Sequence, residues 1–185
     1  FSDVIVGDPE LDGAINRCGG VYVYFGAPAG LKATWSWGED GDQAGGQYGT
    51  RVACAGDVNA DGYSDLIVGA PYFDTGALAG GKVFVYLGSP TGPVTPAAWS
   101  IVSNQLDAHF GYSVAGAGDI NGDGYSDVII GTPDYDLGQV DEGRAWVYRG
   151  SGSGITGTGA WSTDGDQDGA GYGVSVASAG DVNGD

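Results

Sequence analysis

The sequence predicts an all-β fold built from repeated four-stranded antiparallel units, and three observations predict it. The first is a 62-residue repeat: DVNADGYSDLIVGAP at 57–71 returns as DINGDGYSDVIIGTP at 119–133, and Asp57, Asp119 and Asp181 stand 62 positions apart. Trp37, Trp99 and Trp161 keep the same step, as do Tyr24, Tyr86 and Tyr148. So many positions stay in phase only in a true repeat architecture. The second observation is that the apolar runs are short, β-branched and aromatic, as strands prefer. The third is that Gly (38 residues) or Pro interrupts every window long enough to hold a helix.

The middle unit shows the elements in order. Tyr48 to Ala55 forms a first strand and leads into an Asp-rich turn. The run Leu66-Ile67-Val68 forms a second, followed by a loop opened by Gly69-Ala70-Pro71. Val83 to Leu87 forms a third, and after a Pro/Gly stretch a fourth lies around Trp99. The first strand carries small residues near its end: Ala53, Ala55 and Gly56 match Ala115, Ala117 and Gly118. Small side chains suit a strand crowded against its neighbours. Four antiparallel strands with a small-residue first strand are what a β-propeller blade requires. The predicted units are residues 1–47 (strands 2 to 4), 48–109, 110–171 and 172–185 (strand 1 only), all within one segment, 1–185.

Composition narrows the function. The net charge is −18, from 24 acidic and 6 basic residues. Phosphate contacts need Lys and Arg, so nucleic acid is excluded as a partner. No apolar stretch approaches roughly 18–20 residues, so direct membrane insertion is excluded as well. Only 3 of the acidic residues are Glu against 21 Asp, a bias that suits turns and hard cations. The chain begins with Phe1 and has no Met, which predicts a processed product or an excised segment.

The repeat resembles the FG-GAP repeat of integrin α-subunit propellers and of many bacterial surface and secreted proteins, and its wording is closer to the bacterial kind. The FG element stands as Tyr48-Gly49, Phe110-Gly111 and Tyr172-Gly173. The GAP element stands as Gly7-Asp8-Pro9, Gly69-Ala70-Pro71 and Gly131-Thr132-Pro133. The resemblance covers the whole chain. It implies a propeller with a calcium ion in the loop between strands 1 and 2 of a blade.

The residues of that loop point to the same ion. Oxygen ligands recur at loop positions 1, 3, 5 and 9: Asp57, Asn59, Asp61 and Asp65, then Asp119, Asn121, Asp123 and Asp127. The backbone carbonyl of Tyr63 or Tyr125 fills position 7, and Gly at position 6 lets the chain turn around the ion. Three carboxylates among all-oxygen ligands select Ca²⁺ over Mg²⁺, which tolerates fewer protein ligands. The plain alternative is turn chemistry. A third loop is split: Asp181, Asn183 and Asp185 supply its first half, and Phe1 and Asp3 match Tyr63 and Asp65 of the second. The repeat is therefore either a slice of a longer propeller or a unit that associates. Two copies would make a six-bladed ring, a homodimer with each split loop rebuilt across an interface.

Weaker signals carry less. Cys18 and Cys54 are expected at opposite strand ends, unpaired and filling small buried slots. His109, without a fixed acidic partner, reads as a surface loop residue. The G-x-G-x-x-G at 152–157 has no helix after it and binds no dinucleotide. The acidic clusters keep the fold period, whereas an active site is usually a single departure from a repeat, so no enzyme is predicted. The least repetitive surface is the loops between strands 2 and 3, with Tyr72, Phe73, Asp74, Asp134, Tyr135 and Asp136 as candidate partner-binding residues. The function expected is a calcium-stabilised binding, adhesion or scaffold module working through protein–protein contact or self-association. Its expected location is extracellular, at the cell surface or periplasmic. The alternatives are a non-catalytic propeller segment of a secreted hydrolase and a self-assembling structural element.

Overall fold

The computed structural model describes residues 1–76, 79–157 and 159–184, and those residues form strands and turns without a helix. The strands are β1 (Val4–Asp8), β2 (Gly20–Tyr24), β3 (Gly26–Ala27), β4 (Gly30–Leu31), β5 (Trp37–Asp40), β6 (Arg51–Gly56), β7 (Asp65–Ala70), β8 (Lys82–Tyr86), β9 (Trp99–Val102), β10 (Ser113–Gly118), β11 (Asp127–Thr132), β12 (Arg144–Tyr148) and β13 (Trp161–Asp164). They pair antiparallel into a three-stranded sheet β1-β2-β5, two four-stranded sheets β6-β7-β8-β9 and β10-β11-β12-β13, and a small β3-β4 hairpin. β6 and β10 begin at 51 and 113, β8 and β12 at 82 and 144, so the strands keep the 62-residue step of the sequence. The architecture is that of a partial β-propeller, each large sheet being a blade.

The apolar runs of the second strands follow from burial on both faces. Val68 and Ala70 join a cluster with Val21 and Tyr48 of the first joint between blades. Ile67 faces the other way, into a cluster with Val128, Ile130 and Phe110 of the second joint. The core therefore lies between the blades. Tryptophan of a fourth strand packs on tyrosine of the next blade's third strand: Trp37 on Tyr86 at 5.4 Å, and Trp99 on Tyr148 at 5.3 Å.

The FG and GAP glycines make the closest approach across each joint. A Cβ on Gly7 would lie 2.0 Å from Gly49 O, one on Gly69 2.2 Å from Gly111 O, and one on Gly131 1.9 Å from Gly173 O. Two elements differ from the sequence reading. The first strand begins at Arg51 rather than Tyr48, because Tyr48 and Gly49 (φ +86°) turn across to the preceding blade, where Tyr48 bridges Gly19. The second strand runs on through Gly69 and Ala70, which pair with Val83 and Lys82.

Candidate metal loops and contact face

Each acidic loop joins the first two strands of a blade. Its closing Asp is buried at the base. In the β6–β7 loop the Val58 N–H donates to Asp65 Oδ2 and the Gly88 N–H to Asp65 Oδ1, both at 2.7 Å. In the β10–β11 loop Ile120 and Gly150 do the same for Asp127, at 3.0 and 2.9 Å. The closing residue thus ties its own loop to the strand 3–4 connection.

The other ligand candidates lie over the loop's own amides. The Asp61 N–H donates to Asp57 Oδ1 at 3.0 Å and the Gly62 N–H to Asp57 Oδ2 at 2.8 Å. Asn59 Nδ2 donates to Asp61 Oδ2 at 2.9 Å, and the Tyr63 N–H to Asp61 Oδ1 at 2.9 Å. The second loop repeats this. Gly122 and Asp123 donate to Asp119 Oδ1, Gly124 to Asp119 Oδ2, Asn121 to Asp123 Oδ2, and Tyr125 to Asp123 Oδ1. Two residues per loop, not one, take left-handed backbone: Ala60 (φ +56°) and Gly62 (+92°), then Gly122 (+72°) and Gly124 (+90°). Of the split loop, Asp181 Oδ1 accepts from the Gly184 N–H and Asp3 Oδ1 from the Gly26 N–H. Asp185 lies outside the described residues.

The donor set suits a hard cation in type and charge. Among the described residues Arg17 pairs with Glu10 and the His109 ring hydrogen-bonds to Asp134, and neither contact involves a loop carboxylate. Burial pushes the Asp65 carboxyl above its ordinary value, and the charges of Asp61 and Asp57 push the same way, against the hydrogen bonds from Gly88 and Val58. In the second loop the amides, Gly124 first, hold Asp119 below the ordinary carboxylate range. The described residues nevertheless contain no group of three or more His, Cys, Asp or Glu side chains drawn together around one metal position. The hydrogen bonds above give the reason: each carboxylate is turned onto backbone N–H groups.

On the opposite face, the candidate partner-binding residues divide. Tyr72, Asp74 and Asp136 are exposed and Asp134 partly so. Phe73 lies under Lys82, 4.5 Å from its ring, and Tyr135 packs on Trp146 at 5.7 Å. His109 does have an acidic partner: its Nδ1 lies 2.6 Å from Asp134 Oδ2, and its ring meets Tyr72 edge-on. Both cysteines are free; Cys18 is buried, but Cys54 is exposed rather than slotted.

Three side chains that the sequence reading passed over organise this face. Gln43 Nε2 donates to Asp74 O at 2.8 Å while the Asp74 N–H donates back to Gln43 Oε1. Gln105 clips Asp136 in the same way, at 2.6 and 2.7 Å. Gln43, Gln105 and Gln167 keep the 62-residue step, which was the available signal. Buried Glu142 collects the N–H groups of Leu137, Gly138 and Gln139 on Oε1, and this holds its carboxyl below the ordinary range. It aligns with Gly80 and Cys18, so no repeat pointed to it.

Antiparallel four-stranded blades stacked face to face, each with an acidic loop between its first two strands, define a protein of the β-propeller class. A family model described as FG-GAP repeat matches residues 49–86 and 110–148. The chain is 34% identical over 187 residues to integrin alpha-4 of Xenopus laevis, covering 98% of this chain and 17% of that protein. It is 38% identical over 122 residues to integrin alpha-6 of Homo sapiens (63% of this chain, 10% of that protein). To integrin alpha-5 of Xenopus laevis it is 31% identical over 159 residues (80% and 15%). The chain is an FG-GAP repeat propeller of integrin α-like kind, and it spans less than a fifth of the length of these relatives.

Proposed function

We propose that this chain is a calcium-stabilised protein-interaction module of an extracellular, cell-surface or periplasmic adhesion protein, and that it acts by binding and not by catalysis. One observation carries the reading: an all-oxygen loop with three carboxylates recurs at the repeat step, with no cationic side chain paired to it among the described residues. Asp57, Asn59, Asp61, Asp65 and the Tyr63 carbonyl hold one ion; Asp119, Asn121, Asp123, Asp127 and the Tyr125 carbonyl hold another. Calcium relieves the repulsion within each loop and pins the strand 1–2 turn. The similarity to integrin α-subunits supports adhesion as the setting. The contact face is Tyr72, Asp74, Asp134 and Asp136 with the exposed apolar tips Leu106, Leu137 and Val140, held in place by the glutamine clips. The partner is a protein, including a second copy of this chain.

The test is thermal unfolding and calorimetric titration with Ca²⁺ and with excess chelator. Calcium at 100 times its Kd stabilises by about 2.7 kcal/mol per site, a rise in Tm of about 5–10 °C for a chain of this size. Asp61→Ala is expected to lower the bound stoichiometry by one ion. Identical melting in calcium and in chelator would remove the proposal, and full stoichiometry in Asp61→Ala would remove the ligand assignment.

A further inference from the structure

We propose that the joint between the second and third blades is a binding site for a neutral saccharide, seated in an aromatic cleft. The inference goes beyond the calcium loops and the protein-contact reading. It involves only residues of, or between, the two four-stranded blades β6–β9 and β10–β13.

The two joints share one plan and differ in their lining. At the first, Tyr48, Phe84 and Tyr86 border a cleft of about 230 Å³ together with Glu39, Asp40 and Asp42. The Tyr48 hydroxyl is hydrogen-bonded to that of Tyr86 at 2.8 Å, and the Tyr48 ring meets Phe84 edge-on at 5.2 Å. One repeat later Tyr48 becomes Phe110, Phe84 becomes Trp146, Asp40 becomes Val102 and Asp42 becomes Asn104. Phe110 brings no hydroxyl, and its ring meets Tyr148 edge-on at 6.5 Å. The second cleft measures about 520 Å³, within the roughly 300–1,000 Å³ of small-molecule sites.

The exchange of Tyr48 for Phe110 leaves a polar group without its partner. Tyr148 is 4% exposed and lines the cleft, and its hydroxyl has no hydrogen-bond partner among the described residues. Burial alone pushes that phenol up to about 12. Three further buried polar atoms of the same blade are unpaired among the described residues: Thr132 Oγ1, Arg144 Nε and Trp146 Nε1. Thr132 stands where the first joint has Ala70, and Trp146 lines the cleft beside Tyr148. Buried polar groups are normally paired, so a cluster of unpaired ones around a cleft points to a polar ligand.

The lining narrows the ligand by its chemistry. Phe110, Tyr135, Trp146 and Tyr148 supply ring surfaces, while Ser103 supplies a hydroxyl and exposed Asn104 an amide. None of the lining side chains is charged. A cationic ligand therefore finds no counter-charge. The rings that would cage it already carry the Arg144 guanidinium, 4.4 Å from Trp146 and 5.8 Å from Tyr135. That guanidinium donates to Ser162 Oγ at 2.6 Å and lies in the field of Glu142, so it does not call for an anion. A wholly apolar ligand would leave the Tyr148 hydroxyl and the Asn104 amide unpaired. A pyranose ring matches what remains: C–H faces to lie on aromatic rings, and several uncharged hydroxyls that both donate and accept.

The experiment is a saturation-transfer NMR titration of the full 185-residue chain in calcium. The probes are glucose, galactose, mannose and N-acetylglucosamine, with p-cresol and tetramethylammonium standing for a phenolic side chain and a cation. At least one sugar is expected to bind, at least about tenfold more tightly than either of the last two. Tyr148→Phe should weaken that sugar at least about fivefold, the worth of one hydrogen bond. Phe110→Tyr rebuilds the hydroxyl pair of the first joint, so it should abolish sugar binding while keeping or raising the Tm. No binding by any of the four sugars, tighter binding of p-cresol or tetramethylammonium, or sugar affinity unchanged in either variant would each overturn the proposal. Each of these results leaves the calcium reading standing, because melting in calcium and in chelator decides that one.

Discussion

Replacing Gly69 by Ala tests the blade-to-blade contact most directly. A Cβ at this position would lie 2.2 Å from the backbone oxygen of Gly111, against a practical minimum of 3.0 Å, so the two blades must part by about 0.8 Å. Neither atom belongs to a flexible side chain that could swing away. A gap of that size forfeits roughly a quarter to a half of the dispersion attraction between the atoms it separates, and overpacking of this kind costs about 1–3 kcal/mol. A clash of backbone against backbone belongs at the upper end, about 3 kcal/mol, or a fall in Tm of about 6–12 °C. Gly62→Ala is the matched control. It meets nothing within 4 Å but sits at φ +92°, so only the left-handed backbone is penalised, by about 1–2 kcal/mol. The assay is urea unfolding of both variants beside the parent, compared by midpoint at unchanged slope. If Gly69→Ala costs no more than Gly62→Ala, the close approach of the FG and GAP glycines is not what fixes the blade spacing.

Three further outcomes follow from the structure. Ala60 holds a left-handed φ of +56° where the next loop has Gly122, so Ala60→Gly should leave stability unchanged or raise it by up to about 1 kcal/mol; a loss above that size in urea unfolding would contradict it. Glu142 is held below its ordinary pKa by amides of its own loop, so its contribution is present above the unfolded value of about 4.3 and is lost as pH falls through the lower folded value. Amide exchange over 137–139 should therefore separate Glu142→Gln from the parent at neutral pH and converge with it in acid; a separation that persists at low pH would refute this. Tyr48→Phe removes the buried hydroxyl bond to Tyr86 at 2.8 Å and leaves that oxygen unpartnered, which should cost about 1–3 kcal/mol. A neutral result by thermal unfolding would show that water replaces the bond.

The legible parts of the fold share one property: each is local in sequence. The alternation of glycine, β-branched and aromatic residues set the strands within two or three residues of where they lie, and the strand 1–2 loop could be read as a donor set because its ligand types fall within nine positions. Tyr48 was misplaced as strand because its side chain and backbone answer to the preceding blade, which no local pattern records. Cys54 was misjudged for a related reason: its exposure depends on which strand lies beside it.

The sequence by itself determined the repeat, the four-stranded unit, the crowded small-residue strands and the oxygen-rich loops. Each follows from backbone preference and side-chain type over a few residues. Only the tertiary structure decided what those residues face. It brings Gly69 against Gly111, clips Asp74 with Gln43, sets His109 on Asp134, and turns Asp65 onto the amides of Val58 and Gly88. Apart from the Val58 bond, these contacts join residues more than twenty positions apart. They exist because blades that bury apolar surface on both faces must stack, and stacking brings together groups that no local preference places side by side.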